Sequence, residues 1–306
     1  MTLTELRYIV AVARERHFGH AAEACHVSQP TLSVAIKKLE EELELKLFER
    51  GGAEVTVTPL GEEIVRQAQA VLEQAAAIKE IAQRGKDPLA GPLRLGIIYT
   101  IGPYLLPELV REVIARSPQM PLMLQENFTV KLLEMLRTGE LDCAILAEPF
   151  PDAGLAIAPL YDEPFVAAVP AKHPLAARKS ISAEQLKQQT MLLLGTGHCF
   201  RDHVLEVCPE FARFSSDADG IRKSFEGSSL ETIKHMVASG MGVTVLPRLS
   251  VDAGAQPHLR CIPFSAPAPS RRVVLAWRRS FTRYEAIAAL RNAVYACRLD
   301  GVTRLS

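Results

Sequence analysis

The spacing of apolar positions divides the chain into a helical N-terminal part, one long helix and a region of alternating strands and helices. Within the first 57 residues, Leu3, Leu6 and Ile9 recur at helical spacing and predict a first helix. The alanine-rich run 20–25 predicts a second, short helix whose small side chains suit close packing. A third helix follows, and its predicted buried stripe consists of Leu32, Ile36, Leu39 and Leu43.

A tight turn separates the second and third predicted helices, and a hairpin follows the third. Ser28 is a good N-terminal cap, and Pro30 is tolerated in a first helical turn. Residues 47–52 and 55–58 are predicted to form the two strands of the hairpin. This order predicts an all-α N-terminal winged helix-turn-helix over residues 1–58, an arrangement used by DNA-binding domains.

Charge alone does not indicate a nucleic-acid partner. The chain has 35 Lys and Arg against 35 Asp and Glu, and residues 1–57 carry seven basic and nine acidic side chains. Contact with DNA phosphates must therefore come from a local face and from a helix N-terminus. The predicted DNA-binding residues are Ser28, Gln29, Pro30, Thr31, Ser33, Lys37, Lys38 and Arg50. The basic members of this set would contact phosphates, and its Gln, Thr and Ser side chains can hydrogen-bond base edges. The alternative is a small helical bundle with an exposed polar face.

Five motifs in the N-terminal part carry a resemblance to a known family. They are 18–22 (FGHAA), 27–33 (VSQPTLS), 36–40 (IKKLE), 47–50 (LFER) and 58–61 (TPLG). In this order they closely resemble the LysR-type transcriptional regulators. The resemblance implies a transcription factor that binds double-stranded promoter DNA and works with RNA polymerase, and not an enzyme.

Residues 59–84 form one long amphipathic pattern that Pro59 opens. Its narrow apolar seam comprises Leu60, Ile64, Ala68, Val71, Ala75, Ile78 and Ala82. A seam with this heptad-like spacing is typical of a helix that pairs with a second copy. We therefore expect a dimerisation helix and hinge over residues 59–87, because residues 85–88 (GKDP) end the helix. The alternative is a helix packed against its own domain.

From residue 88 to residue 306, short apolar strands alternate with amphipathic helices. Strands are predicted at 93–98, 122–126 and 141–146, and helices at 105–114 and 130–137. This alternation predicts an α/β regulatory part with a mainly parallel sheet and helices on both faces. Chain reversals near 165–169 and 263–277 predict two α/β subdomains, one of about 88–162 and 266–306 and one of about 163–265. The LysR resemblance implies a periplasmic-binding-protein-like architecture, with a cleft between the subdomains.

The segment 195–209 (GTGHCFRDHVLEVCP) carries the candidate reactive chemistry of the sequence. Cys199 follows a glycine-rich turn and begins a helical pattern, and a helix N-terminus and nearby cations both favour a thiolate. Cys208 lies nine residues further on, which corresponds to ~13.5 Å along a helix. A disulfide needs Cα atoms within about 7 Å. Oxidation of this pair would therefore require the helix to rearrange, as in a redox switch.

Two other interpretations of this segment remain open. Free cysteines are often small buried apolar residues without a reactive role. A metal site is also conceivable, because the segment holds the ligand types His198, Cys199, His203 and Cys208, although their spacing fits no zinc motif.

Thr100 and Thr129 each follow a predicted strand. Because strand ends of a parallel sheet face the cleft, both hydroxyls are expected there, where they can donate to and accept from a small polar guest. The alternative role for each threonine is helix capping.

Further motifs resemble the peroxide-sensing members of the LysR family, and this resemblance covers essentially the whole chain. They are 198–202 (HCFRD) with Cys208, 102–107 (GPYLLP) and 141–143 (LDC). The resemblance implies that Cys199 is the peroxidatic cysteine and Cys208 the resolving cysteine. The supporting residues that it implies are Thr100, Thr129, His198, Arg201, Asp202, and Arg271 or Arg272. The other cysteines are interpreted as structural thiols: Cys25, Cys143, Cys261 and Cys297.

We therefore expect a regulator that senses hydrogen peroxide through a Cys199–Cys208 thiol/disulfide switch and controls oxidative-stress genes. Its expected partners are double-stranded DNA, hydrogen peroxide, RNA polymerase, a cellular thiol reductant and further copies of itself. The copies would form a homotetramer through the linker helix and the regulatory part, with no cofactor and no metal. The alternatives are a LysR-type regulator that binds a small organic effector non-covalently, and a thiol peroxidase.

The cysteine content predicts that the protein works in a reducing compartment. Six dispersed cysteines without a secretory signal pattern indicate the cytoplasm. No apolar run reaches membrane-spanning length, since the best candidate, 93–110, is interrupted by Arg94, Pro103 and Pro107.

Overall fold

The computed structural model describes residues 1–49, 55–83, 89–209, 226–251 and 257–305. Two predictions lie outside these residues: the phosphate contact of Arg50 and the hinge at 85–88. The helices are α1 (Leu3–Glu15), α2 (Phe18–Ala24), α3 (Gln29–Glu42), α4 (Pro59–Gln83), α5 (Gly102–Arg116), α6 (Thr129–Arg137), α7 (Ala183–Leu186), α8 (Cys199–Val207), α9 (Leu230–Ala238) and α10 (Tyr284–Ala296).

The strands follow the predicted alternation in the first half of the regulatory part. They are β1 (Phe48–Glu49), β2 (Thr56–Val57), β3 (Leu93–Ile98), β4 (Leu122–Asn127), β5 (Cys143–Ala147), β6 (Leu155–Pro170), β7 (Leu193–Leu194), β8 (Glu226–Gly227), β9 (Thr244–Pro247), β10 (Leu259–Pro263), β11 (Ser270–Arg278) and β12 (Thr303–Arg304). Single turns of 3₁₀ helix cover Pro174–Ala177 and Arg248–Ser250. In the described ranges, no helix combines the length and the apolarity needed to cross a membrane.

Helices α1 to α3 pack around one apolar core, and local sequence explains where they begin. Thr2 and Glu5 cap α1 through a reciprocal pair of hydrogen bonds. Ser28 caps α3 by accepting a hydrogen bond from the backbone N–H of Thr31. The buried apolar residues of α3 are Leu32, Ile36 and Leu39. The predicted helix-turn-helix is therefore present.

The predicted wing is a short antiparallel hairpin in which Phe48 pairs with Val57. The buried carboxylate of Glu40 fastens this hairpin to α3, because it accepts hydrogen bonds from the backbone N–H groups of Leu47 (2.9 Å) and Phe48 (3.3 Å). The buried carboxylate is thus hydrogen-bonded, as a buried charge must be. The winged helix-turn-helix is confirmed.

Helix α4 divides its predicted seam between two environments. Ile64 and Ala68 pack against the N-terminal core of the same chain. Leu60 and Ile78 are 52% and 69% exposed, respectively. The seam is therefore not uniform, since only part of it remains open to a second copy. The side chain of Ala82 lies outside the described residues.

A separate face of α4 contacts the regulatory part. Glu73 forms an ion pair with Arg278 at the end of β11. The same carboxylate accepts a hydrogen bond from the hydroxyl of Ser280 (2.6 Å). The linker helix therefore touches both the DNA-binding domain and the regulatory part.

One mixed sheet runs through the regulatory part. Strands β4, β3 and β5 are parallel neighbours, as the alternating pattern predicts. Strand β11 runs antiparallel between β5 and β6, because the chain returns from the second half of the regulatory part in the opposite direction. The predicted reversal at 165–169 is wrong, since these residues lie inside the sixteen-residue strand β6, which pairs with β9 and β10 beyond β11.

The buried residues of the regulatory part form two apolar cores. The first contains residues of β3, α5, α6, β5, β11 and α10. The second contains residues of α8, α9, β9 and β10. Strand β6 contributes Tyr161 to the first core and Phe165 to the second, so the long strand connects the two halves.

Candidate functional site

Cys199 is the first residue of α8 and directly follows a glycine turn. Gly197 has φ +97°, a left-handed conformation that glycine adopts without strain. His198 is the N-cap residue, and it makes no side-chain hydrogen bond to the helix. The unpaired backbone N–H groups of the first turn carry partial positive charge, and Cys199 lies among them.

A small cavity lies beside Cys199. It is lined by Ile98, Tyr99, Thr100, Asn127, Phe128, Thr129, Gly197, His198 and Cys199. Its volume is about 10 Å³, near the ~10–15 Å³ that one water molecule requires. The cavity is therefore suited only to a very small polar guest and has no room for an organic effector.

Thr129 lines this cavity with a hydroxyl that makes no hydrogen bond to the described residues. The residue is buried at the first position of α6. A buried hydroxyl without a partner costs ~1–3 kcal/mol. The arrangement therefore favours a guest that hydrogen-bonds Thr129, as the sequence predicts.

Thr100 is held in place by Arg271. The Nη1 atom of Arg271 donates to the Thr100 hydroxyl oxygen (2.8 Å), and Nη2 donates to the Thr100 carbonyl oxygen (2.9 Å). Because the hydroxyl oxygen already accepts this bond, its own proton remains available to a guest. Glu163 balances the charge, since its carboxylate accepts from Nε of Arg271 (2.9 Å), and both side chains are 1% exposed.

The structure shows which of the adjacent residues Arg271 and Arg272 lies next to the cavity, a choice that the sequence does not make. Successive side chains of a strand point to opposite faces. Arg271 lies on the buried face of β11 and contacts the cavity wall through Thr100, whereas Arg272 is half-exposed and pairs with Asp162 (2.9 Å). Arg271 is therefore the arginine next to the cavity.

His198 contributes an aromatic ring to the cavity wall. The ring packs edge-on against Phe128, with centroids 4.8 Å apart, and lies 6.0 Å from the ring of Tyr99. Burial lowers the pKa of His198, and a hydrogen bond with the backbone of Ser228 partly opposes that change. A lowered pKa favours the neutral imidazole near pH 7.

Two predicted supporting residues do not line the cavity. Arg201 is buried and donates to the carbonyl oxygen of Leu194 (2.8 Å), so it fastens α8 to β7. Asp202 is exposed in the first turn of α8. Arg201, two positions after Cys199, points to another side of the helix, whereas Asp202, three positions after it, lies one turn further along the same side and is exposed to solvent.

Cys208 lies at the opposite end of α8 as its C-cap residue. Its side chain is fully buried in the second core, whereas Cys199 packs against the first core. Neither cysteine forms a disulfide with another described residue. The ends of the intervening helix are ~13.5 Å apart, so a disulfide cannot form until α8 opens.

Burial raises the pKa of the thiol at each of the other four cysteines: Cys25, Cys143, Cys261 and Cys297. For Cys297 the pKa is raised to about 11. Because the thiolate is the reactive form, these positions are poor nucleophiles near neutral pH.

A larger pocket of about 530 Å³ lies elsewhere along α8. Its lining consists of Phe165, Ser182, Ala183, His203, Glu206, Val207, Phe264, Ser265, Ala266, Pro267, Pro269 and Ser270. His203 is anchored there by its Nε2 atom, 2.7 Å from the carbonyl oxygen of Glu148. Across the described ranges, no group of three or more His, Cys, Asp or Glu is placed to hold a metal ion.

The predicted DNA-binding face is exposed along α3, with one exception. Ser33 is half-buried, whereas the other described members are exposed: Ser28, Gln29, Pro30, Thr31, Lys37 and Lys38. The hydroxyl oxygens of Ser28 and Thr31 are 2.8 Å apart, so both take part in the helix cap.

The sequence interpretation missed Glu163 and Val34. Glu163 occupies an inward position of β6, between the buried residues Tyr161 and Phe165, and a charge at such a position is the signal that identifies it. Val34 is 68% exposed on α3 among the predicted DNA-binding residues. Its side chain is apolar, whereas the side chains predicted to hydrogen-bond base edges are those of Gln, Thr and Ser.

Comparison with known proteins matches both parts of the chain to one family. Residues 3–62 match the model of the bacterial regulatory helix-turn-helix protein, lysR family, and residues 86–296 match the LysR substrate binding domain. The DNA-binding transcriptional dual regulator OxyR of Escherichia coli K12 is 39% identical over 308 residues, covering 98% of this chain and 97% of its own.

Solved structures agree with this similarity. A full-length OxyR from Pseudomonas aeruginosa with one cysteine changed to aspartate is 54% identical, with a TM-score of 0.78 over 98% of this chain and 99% of the other. An OxyR cysteine mutant from Corynebacterium glutamicum, H2O2-bound, is 33% identical, with a TM-score of 0.63 over 96% of this chain and 92% of the other.

Proposed function

Because this chain belongs to the LysR family of bacterial helix-turn-helix regulators, we propose that it senses hydrogen peroxide at Cys199. In this proposal it binds DNA and controls oxidative-stress genes. The observation that carries the proposal is the cavity of about 10 Å³ that joins Cys199 to the unpartnered hydroxyl of Thr129. The names of its relatives, among them a hydrogen peroxide-inducible genes activator 40% identical over 292 residues, support it.

The first chemical step is oxidation of Cys199. Its thiolate sulfur attacks one oxygen of hydrogen peroxide, so that an S–O bond forms and the O–O bond breaks. The second oxygen leaves as hydroxide and takes up a proton to become water. Thr129 and Thr100 hydrogen-bond the peroxide, and Arg271 positions the Thr100 hydroxyl by donating to its oxygen.

The second step joins Cys199 to Cys208. The sulfur of Cys208 attacks the sulfur of the Cys199 sulfenic acid, an S–S bond forms, and the hydroxyl leaves as water with the thiol proton. Opening of α8 must come first, since the cysteines are at its two ends. A nine-residue helix has little stability outside its packing, so α8 does not persist once Phe200 and Val204 leave the second core.

Opening of α8 also connects oxidation to DNA binding. Phe200 and Val204 are buried, so their release changes the surface of the regulatory part. In the proposal, this change alters how the subunits pack in a homotetramer. The altered packing changes the spacing of the DNA-binding domains (residues 1–58), because the linker helices (residues 59–87) connect them to the regulatory parts. A cellular thiol reductant resets the disulfide in the cytoplasm by exchange. The reaction changes the state of the protein itself, so the protein does not turn over a substrate as an enzyme does. It acts on transcription together with RNA polymerase.

Peptide mapping after brief treatment with near-stoichiometric peroxide tests the proposal. We expect a Cys199–Cys208 disulfide to form ahead of any oxidation at the four other cysteines. Sulfenic acid that persists at Cys199 without a disulfide would retain the sensor and remove the helix-opening step. Absence of selective reaction at Cys199 would overturn the peroxide proposal.

A second candidate is a LysR-type regulator of a non-covalent organic effector. The observation that favours it is the pocket of about 530 Å³, which lies in the usual range of ligand pockets, ~300–1,000 Å³. Replacing Cys199 by Ser separates the two candidates, because the peroxide sensor loses its response to peroxide whereas the effector-binding regulator keeps its induction.

Thr129→Val is expected to slow oxidation of Cys199 by ~10–100-fold, because valine keeps the shape but removes one hydrogen bond to a charged reacting group. Stopped-flow measurement of sulfenic acid formation under excess peroxide checks this. Thr138→Val is the matched control, since this hydroxyl lies at the other end of α6 and bonds to Glu134 and Met135. An unchanged rate in Thr129→Val would show that its hydroxyl does not contact peroxide.

Glu206→Gly is expected to close the disulfide about fivefold faster than Glu206→Ala. Glu206 is an exposed residue of α8, so neither change removes core packing, but glycine weakens a helix by ~1 kcal/mol relative to alanine. Quenched-flow alkylation after oxidation of Cys199 measures the closing rate. Equal rates for the two variants would mean that helix opening does not limit disulfide formation.

A further inference from the structure

Val34 occupies the most outward position of the predicted DNA-recognition helix. At 3.6 residues per turn, it lies about 170° from the middle of the buried stripe of α3. It is 68% exposed. Its helical neighbours at three positions before and four positions after are Thr31 and Lys38, which are also exposed. The centre of the exposed face is therefore apolar, with polar and basic side chains around it.

An exposed valine does nothing for the stability of this helix. Valine has a lower helix propensity than alanine because its branched side chain loses rotamer freedom. Val34 is also absent from the residues that form or flank the N-terminal core. Its apolar surface is thus free for a partner of the domain.

The neighbours of Val34 limit which other residues can read bases at this position. Ser28 and Thr31 share their hydroxyls in the helix cap. Lys37 lies 3.6 Å from the carboxylate of Glu41, and Lys38 is a long cation suited to phosphate. Val34 therefore has a side chain at the centre of this face that takes part in neither the helix cap nor an ion pair.

The base edge that matches two methyl groups is the 5-methyl group of thymine, which only thymine presents in the major groove. We propose that Val34 is a specificity-determining residue that packs on a thymine methyl group at one position of each half-site. This inference rests on the proposed DNA-binding function. The residues of this face that are predicted to hydrogen-bond base edges are all polar, and Val34 adds an apolar contact to them.

Thymine-to-deoxyuridine scanning tests the contact, because deoxyuridine lacks only the methyl group. A duplex is first selected from a randomised library with the reduced, full-length protein, and each thymine is then replaced in turn. At one thymine per half-site, we expect the replacement to weaken binding about fourfold, the factor that corresponds to one buried methyl group. Cytosine at that position is expected to bind more weakly than 5-methylcytosine, which restores the methyl group.

The variant Val34→Ala assigns the effect to this side chain. Its sensitivity to deoxyuridine is expected to fall below about twofold, while Val130→Ala, at an exposed valine of α6 in the regulatory part, keeps the full fourfold effect. Alanine favours helix, so the variant is expected to fold. A wild-type protein insensitive to deoxyuridine, or a Val34→Ala protein with full sensitivity, overturns the inference alone. Failure to select any duplex overturns the proposed DNA binding, and this inference with it.

Discussion

Glu163→Gln is expected to lower the free energy of unfolding of the regulatory part by about 3–5 kcal/mol. Glu163 and Arg271 form an ion pair in which both side chains are 1% exposed. Glutamine keeps the size of the side chain and can still accept from the backbone N–H of Leu249, which now donates to Glu163. The guanidinium of Arg271, however, loses the negative charge that balances it. Because water does not reach this position, that loss accounts for most of the expected decrease in the free energy of unfolding.

The neighbouring pair provides a matched control. Asp162→Asn removes the partner of Arg272, but this pair is half-exposed, so the expected cost is only ~0–1 kcal/mol. Urea unfolding followed by the fluorescence of Trp277, the single tryptophan of the chain and a residue of the same strand as both arginines, measures both variants. Equal losses in the two variants would contradict the argument, because burial would then not decide the strength of the pair.

Periodicity predicts the helices and the first strands of this chain well, because burial of one face sets their pattern. The predicted strand 93–98 matches β3, and the long helix from Pro59 ends at Gln83 in the structure. The crossing strand β6 was not predicted as one element. It passes from the first core into the second, so its residues face two different cores and no single alternation runs along its length.

In the candidate site, as in the fold, the sequence predicts features that neighbouring residues determine but not features that depend on contacts between distant parts of the chain. The spacing of Cys199 and Cys208 already predicts two thiols at the ends of a helix. The sequence does not choose between Arg271 and Arg272, because the choice depends on which face of β11 meets Thr100, 171 residues away in the chain. Arg201 and Asp202 lie beside Cys199 in sequence, yet neither lines the cavity, since Arg201 bonds to β7 and Asp202 is exposed to solvent.

Cys208→Ser is expected to separate oxidation from switching, and Cys199→Ser to abolish both. In Cys208→Ser, the cavity, Thr129 and Arg271 remain, so Cys199 should form sulfenic acid at the wild-type rate. No disulfide can follow, because serine does not attack a sulfenic acid as a thiolate does. The oxidised variant should therefore keep α8 folded, while Cys199→Ser leaves peroxide without a nucleophile and its response falls to background.

Trapping of sulfenic acid with dimedone measures the first step, and amide hydrogen exchange along 199–208 measures the opening of α8. In the wild-type protein we expect exchange in this segment to rise by orders of magnitude after peroxide, because a helix must open fully for its cysteines to meet. Cys143→Ser is the control, since this buried thiol has a raised pKa and is expected to leave both signals unchanged. Lasting opening of α8 in peroxide-treated Cys208→Ser would contradict this expectation, because sulfenic acid alone would then keep the helix open and the disulfide would not be needed to trap it.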